Sequence, residues 1–160
     1  KMVKKIFKRL SLPLNEILKY VQKIVMMSSR PIIISDDIVT DSAVRRLIYD
    51  AGDSIEDLLT LCEADITTKN LKKSIKYQNN FKIVRKKIED VEERDNIRNF
   101  QPPVTGEIIM NHYNIKPCKE IGLIKEKIKN AILDGDIKND YEEAFKLMLK
   151  IGKSMGLKDE

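Results

Sequence analysis

The sequence predicts an all-α fold of two small helical subdomains in series, a helical body followed by a helical tail. Apolar residues recur every three or four positions through most of the chain, and capping residues stand where such runs begin. No stretch of useful length alternates apolar and polar residues at the period of a strand.

Taken in order, Met2 to Leu10 has a helical pattern with a free end expected to fray. Leu14, Ile17, Leu18, Val21, Ile24 and Val25 follow the 3.6-residue period and predict a helix over 13–27, with Pro13 near its first turn. Arg30-Pro31 predicts a boundary, because the residue before a proline is biased out of the α region, and a loop through Asp36-Asp37 follows. Thr40 is a natural N-cap for Asp41 to Ala51, with Ala43, Val44, Leu47, Ile48 and Ala51 as the buried stripe and Gly52 ending the helix in the left-handed region. Asp53-Ser54-Ile55-Glu56 has the spacing of an Asp-initiated capping box before Ile55, Leu58, Leu59 and Cys62, so two antiparallel helices joined by a tight turn are implied. Over 69–97, Tyr77, Phe81, Val84, Ile88 and Val91 form the apolar seam of a long helix that Asn79-Asn80 can interrupt.

Asn99-Phe100-Gln101-Pro102-Pro103 reads as a stiff linker and the best place for a subdomain boundary. Beyond it, Thr105 caps a short helix to about Tyr113, and Lys119 to Leu133 forms another. Asn139-x-x-Glu142 has capping-box spacing before a last helix through Tyr141, Phe145, Met148 and Leu149.

Composition narrows the function classes. At 160 residues, with 42% hydrophobic and 34% charged, the chain can build a core without disulfide staples, which excludes disorder, collagen and disulfide scaffolds. Its two cysteines, Cys62 and Cys118, are far apart with no Cys-x-x-Cys spacing, and read as packed, reduced thiols of a cytoplasmic protein. Apolar runs such as Pro31-Ile32-Ile33-Ile34 fall far short of the roughly 18 residues that span a bilayer, so no membrane partner is expected. Lys1-Met2-Val3-Lys4-Lys5 is not followed by the apolar core of a signal peptide, and the chain reads as beginning within a longer protein. The net charge of +5 mildly favours an acidic partner, but its distribution says more. Residues 1–30 hold eight basic and one acidic residue, 31–68 two and nine, 69–98 ten and five, and 99–160 ten of each. Such blocks make basic faces stronger than the total implies.

Most catalytic chemistry is out of reach of this residue set. A His-Asp phosphohydrolase needs several imidazoles around one metal, and His112 is the sole histidine; it reads as a surface or packing residue late in a short helix. Asp134-Gly135-Asp136 is the nearest thing to a paired-carboxylate Mg²⁺ site, but it falls in a helix-to-helix turn where Asp and Gly are expected for turn reasons. Gly-rich phosphate loops and nucleophile elbows are absent from the sequence. No catalytic residue, metal site or cofactor is assigned within this chain.

Binding features are easier to find. Lys69, Lys72, Lys73 and Lys76 occupy i, i+3, i+4 and i+7, so on a helix they share a face suited either to tracking phosphates or simply to solvation. Lys82, Arg85, Lys86 and Lys87 add charge, which Glu89, Asp90, Glu92 and Glu93 partly cancel in the next turns. Arg94, Arg98, Asn99 and Gln101 lead toward the helix start at Thr105-Gly106, and a second start lies at Lys119 to Gly122. Helix N-termini attract anions, and glycine there permits either phosphate or a packed backbone to approach; Glu107 and Glu120 weaken the anion reading.

Thr40-Asp41-Ser42-Ala43-Val44-Arg45-Arg46-Leu47, Leu61-Cys62-Glu63-Ala64-Asp65-Ile66-Thr67, Arg98-Asn99-Phe100-Gln101-Pro102-Pro103-Val104-Thr105-Gly106-Glu107 and Ala131-Ile132-Leu133-Asp134-Gly135 together resemble the C-terminal part of bacterial CCA-adding tRNA nucleotidyltransferases that carry a His-Asp domain. The likeness covers nearly the whole chain. It implies the second half of the His-Asp region over 1–52, a helical RNA-binding body over 53–98 and a helical tRNA-binding tail over 99–160. It also implies that the parent's catalytic head, with Mg²⁺, CTP and ATP, lies outside this chain, and that the partner is the acceptor side of tRNA. Asp41 resembles the last acidic ligand of the His-Asp motif and is a weak metal candidate. Ser28-Ser29-Arg30-Pro31 departs from the family pattern, in which a histidine commonly precedes the Arg-Pro step. Two rival readings remain beside it: a degenerate His-Asp phosphohydrolase using Asp41, and a helical protein-interaction adaptor whose lysines serve solubility.

Overall fold

The computed structural model describes residues 1–31, 40–66, 70–98 and 100–157, and none of these lies in a strand, so the fold is all-α. The chain divides into two compact units, Lys1–Asn99 and Phe100–Glu160.

The first unit opens with α1 (Met2–Arg9), which buries Phe7, and α2 (Glu16–Met27), which buries Leu18, Ile24 and Met27. The predicted start of α2 at residue 13 is corrected by Asn15, whose side-chain oxygen accepts the Ile17 N–H at 3.1 Å and caps the helix two residues past Pro13. Ile17 and Val25, two of the apolar residues that follow the helical period, are 53% and 49% exposed. A boundary does fall here: α2 ends at Met27, Ser28 and Ser29 form a turn, and Arg30 and Pro31 are helical again, since proline lacks only an N–H that a first helical turn leaves unbonded anyway. The loop expected through Asp36-Asp37 lies outside the described residues.

α3 (Asp41–Ala51) begins at Thr40, whose hydroxyl oxygen accepts the Ala43 N–H at 3.3 Å, and it buries Val44, Leu47, Ile48 and Ala51. Gly52 follows at φ 55°, ψ −135°. This conformation is open to glycine but lies outside the left-handed helical region expected of it. A 3₁₀ turn over Gly52–Ser54 carries the chain directly into α4 (Ile55–Ala64), which buries Ile55, Leu58, Leu59 and Cys62; Ser54 makes no side-chain cap.

α5 (Leu71–Asp95) starts at Asn70, which accepts the Lys73 N–H at 3.2 Å, and runs unbroken through Asn79 and Asn80 to a left-handed Asn96. It buries Phe81, Val84, Ile88 and Val91. α3 and α4 pack on α5, α2 packs on α3 and α4, and α1 packs on α2. The core of this unit is the meeting of those stripes, where Val44, Ile48, Ile55, Leu58, Leu59, Val84 and Val91 are fully buried.

In the second unit, α6 (Gly106–Tyr113) is capped by Thr105, which accepts the Ile108 N–H at 3.3 Å. α7 (Lys119–Asp134) presents Ile121, Ile124, Ile128, Ile132 and Leu133 to the core and ends at a left-handed Gly135, the turn role expected of Asp134-Gly135-Asp136. α8 (Tyr141–Ser154) is capped by Asp140, which accepts the Glu142 N–H at 2.7 Å, one residue later than the Asn139 cap predicted. Glu143 reaches back to accept the Lys138 N–H at 2.7 Å. α7 packs on both α6 and α8. Tyr113 of α6 lies against Gly152 of α8, and its phenol donates to the Met148 carbonyl at 3.3 Å.

Candidate nucleic-acid interface

The sequence-predicted site residues fall on both units. In the first, α5 buries no side chain before Phe81. Ten residues, 71–80, therefore extend about 15 Å of helix with nothing packed tightly over it. Asn70 holds the start of this arm helical. Lys72, Lys73 and Lys76 are exposed on it, and none of the ion pairs among the described residues engages them. Lys69 lies outside the described residues. Leu71 and Ile75, on the same arm, are 74% and 51% exposed.

Farther along α5 the cations divide into two groups. Lys82 and Lys86 are exposed and enter none of those ion pairs either. At 100° per residue, Lys72, Lys76 and Lys86 fall within about 80° of one another, so Lys86 extends the side of the helix that carries Lys72 and Lys76, with Asn79 and the exposed Ile83 between. The others are committed internally. Arg85 donates from Nε and Nη2 to the two Glu63 oxygens at 2.7 and 3.2 Å and from Nη1 to Glu56 at 2.7 Å, clamping α4 to α5. Lys87 Nζ meets Asp41 Oδ1 at 2.6 Å. The charge that offsets these two therefore comes from α3 and α4, not from the later turns of α5.

Arg94 and Arg98, two predicted RNA contacts, also hold carboxylates. Arg94 donates to both Asp95 oxygens at 2.8 and 2.9 Å and to Asp41 Oδ2 at 2.6 Å. Arg98 grips Glu92 through two bonds, at 2.6 and 2.8 Å. These carboxylates push both guanidinium pKa values further up, Asp95 before Asp41 for Arg94, and Glu92 for Arg98. A phosphate would have to compete with them.

Asp41, the metal candidate, has a cation within hydrogen-bond distance of each oxygen. Hydrogen bonds from Lys87 and Arg94 lower its pKa to about 2. Arg45 completes the network, donating to Asp95 at 2.7 Å. Each oxygen of this carboxylate already faces a cation that would repel a metal ion, and no group of three or more metal-ligating side chains occurs among the described residues. Sequence reading missed this network; its local signal is the i,i+4 spacing of Asp41 and Arg45, which lie 3.9 Å apart.

In the second unit, Gln101 is exposed, while Asn99 lies outside the described residues. Thr105 spends an oxygen lone pair on its cap. A Cβ at Gly106 would lie 3.5 Å from Ile121 Cγ2, an ordinary contact, and one at Gly122 would meet nothing within 4 Å. Neither glycine is demanded by packing, and the first turn of α7 is open around Gly122 and the exposed Lys119. Glu120 nevertheless turns back on that helix start: its own backbone N–H, then the Cys118 thiol, lower its pKa. The carboxylate partly fills the role a bound anion would take.

Of the remaining chemistry-bearing side chains Cys62 and His112 are packed, whereas Cys118, expected to be packed as well, is exposed at the start of α7. Cys62 donates its thiol to the Ser28 carbonyl at 3.0 Å, and burial, reinforced by Asp65 and Glu63, raises its pKa to about 11. His112 lies edge-on to Tyr113 and Phe145, with ring centroids 4.8 and 5.3 Å away. No helix among the described residues is long and apolar enough to cross a membrane. No family model matches the chain, and no curated protein or solved structure matches it.

Proposed function

We propose that this chain is the RNA-holding C-terminal portion of a CCA-adding tRNA nucleotidyltransferase, gripping the acceptor side of tRNA while a head domain outside the chain uses Mg²⁺, CTP and ATP to extend the 3′ end. The reading rests on the four motifs that resemble that family and on one structural observation. The α5 arm carries Lys72, Lys73 and Lys76 exposed and outside every ion pair of the described residues, whereas Arg85, Lys87, Arg94 and Arg98 are bound to carboxylates. Lysines of this kind neutralise phosphates without reading bases, which suits a protein that must accept tRNAs of every sequence.

The experiment is a tRNA titration at salt concentrations from about 50 to 200 mM, following the slope of log affinity against log salt. Three phosphate-neutralising lysines contribute about 2 to 3 to that slope, so a Lys72→Ala/Lys73→Ala/Lys76→Ala variant is expected to lose that much of it. A variant with the wild-type slope refutes the assignment of these lysines. The adaptor reading keeps one observation in its favour, the exposure of Leu71 and Ile75 beside the lysines, and tRNA binding unchanged in the triple variant would favour it.

A further inference from the structure

Residues 72–86 of α5 read nearly the same in both directions from Asn79. Lys72 mirrors Lys86, Ile75 mirrors Ile83 and Lys76 mirrors Lys82, with Tyr77 matched by Phe81; Ser74 and Val84 break the pattern. A helix whose side chains are mirrored about one residue carries an approximate two-fold axis through that residue, perpendicular to its own axis. Here that axis points to solvent. At 100° per residue, Lys72 and Lys86 lie about 20° to either side of Asn79, Ile75 and Ile83 about 40°, and Lys76 and Lys82 about 60°. All seven are exposed, whereas the buried Phe81, Val84, Ile88 and Val91 lie within about 60° of the opposite direction.

The charge on this face has one sign. No acidic residue occurs from Leu71 to Ile88, and the four lysines enter none of the ion pairs among the described residues. The carboxylates that α3 and α4 bring against this helix, Asp41, Glu56 and Glu63, are held by Lys87, Arg94 and Arg85. Glu89, Asp90 and Glu93 come only beyond Lys86, where the mirrored stretch ends. A second copy of this chain could share the two-fold axis, but it would set lysines against lysines. A single nucleic-acid strand runs one way and has no such axis. A duplex has one across each groove, because its strands are antiparallel, and its phosphates supply the charge. In RNA the groove open to a helix is the wide, shallow minor groove, which displays 2′-hydroxyls; the major groove is deep and narrow.

We infer that α5 lies across the minor groove of an A-form RNA stem, with Lys72 and Lys76 on phosphates of one strand, Lys82 and Lys86 on those of the other, and Asn79 between them on the 2′-hydroxyls, an arrangement that rests on the tRNA reading and narrows it to paired RNA. The two lysine pairs are centred about 15 Å apart along the helix, and each spans about 6 Å. An amide donates and accepts, as a 2′-hydroxyl does, so the central contact separates RNA from DNA without reading sequence.

The test titrates the whole chain into three fluorescein-labelled probes: an RNA hairpin, a DNA hairpin of the same sequence, and an unpaired RNA of the same length. The RNA hairpin is expected to bind about tenfold or more tightly than either of the others. Lys72→Ala/Lys76→Ala and Lys82→Ala/Lys86→Ala are expected to take equal shares, about 1 to 2 each, from its salt slope. Asn79→Leu is expected to bring the RNA hairpin to the affinity of the DNA hairpin, with the slope and the far-ultraviolet circular dichroism unchanged, since all five sites are exposed. Equal binding of paired and unpaired RNA, slope lost through one lysine pair alone, an unaltered RNA preference in Asn79→Leu, or a dimer in sedimentation that Ile75→Ser/Ile83→Ser dissolves would each overturn the inference. Intact tRNA separates the two levels. If its slope still depends on the lysines while paired and unpaired RNA bind alike, the groove assignment alone fails; if no lysine variant changes that slope, the tRNA reading falls with it.

Discussion

Replacing Gly152 by alanine is expected to destabilise the second unit by about 2–3 kcal/mol, an amount set by the phenol of Tyr113. The new Cβ would stand 2.0 Å from Tyr113 Oη and 2.5 Å from Cζ. Neither atom is the end of a flexible chain. The ring is 5% exposed and its hydroxyl is bonded to the Met148 carbonyl at 3.3 Å, so moving aside means losing that bond and disturbing the packing between α6 and α8. Overpacking costs about 1–3 kcal/mol, and a contact this close belongs at the upper end. The displaced hydrogen bond adds about 1 kcal/mol, while the better helix propensity of alanine returns about 1. Urea unfolding followed by circular dichroism measures the difference in the wild-type and Tyr113→Leu backgrounds. In the second background the obstruction is gone, and Gly152→Ala should be neutral or stabilising by up to about 1 kcal/mol. An equal loss in both backgrounds would refute the claim that the ring is the cause.

Asp41→Asn should cost about 1 kcal/mol near neutral pH, after discounting for solvent at a side chain 31% exposed. The folded pKa of about 2 lies below the ordinary 3.8, so the stabilisation is present in full above about pH 5 and fades as the pH falls through about 2. Urea midpoints for the two proteins should therefore converge in acid, and a constant gap contradicts the ion-pair account. For the thiols, a disulfide exchange reagent at neutral pH should label exposed Cys118 promptly and buried Cys62 only on unfolding; prompt labelling of both would show that α4 does not hold Cys62 as described.

Local signals carried most of the fold. Thr40 and Thr105 each cap the helix that follows, as their sequence positions predict, because a cap needs only its own side chain and a backbone N–H two or three residues on; the Asn70 cap of α5 was not read from the sequence. Where two capping candidates are neighbours, as at Asn139 and Asp140, spacing alone could not choose between them, and the side chain of Glu143 was free to bond Lys138 instead. Burial was less legible. Ile17 and Val25 keep the helical period without entering the core, since the period says which face is apolar but not whether anything covers it. The candidate site was legible in its lysines and obscure in its arginines, whose partners are distant in sequence: Arg94 and Asp41 are 53 residues apart. No helical spacing rule reaches that far.

That asymmetry between the two cations has a physical basis. A guanidinium offers planar, paired donors that match a carboxylate edge, so Arg85, Arg94 and Arg98 each hold a carboxylate through two bonds. A lysine ammonium is strongly hydrated, gains little from one exposed carboxylate, and stays available to a polyanion whose bound counterions are released on contact. On the proposed reading the basic residues of α5 divide in two: Arg85, Lys87 and Arg94 hold carboxylates, and Lys72, Lys73, Lys76, Lys82 and Lys86 are left for phosphate. Arg94→Ala should lower stability by about 1 kcal/mol through the Asp41 and Asp95 contacts, while leaving the salt slope of tRNA binding within error. Lys82→Ala/Lys86→Ala should do the reverse, reducing the slope by about 1 to 2 with little change in the urea midpoint. If Arg94→Ala instead removed slope without destabilising the chain, the ion pairs would have to be opening to admit phosphate, and the division between structural arginines and binding lysines would fail.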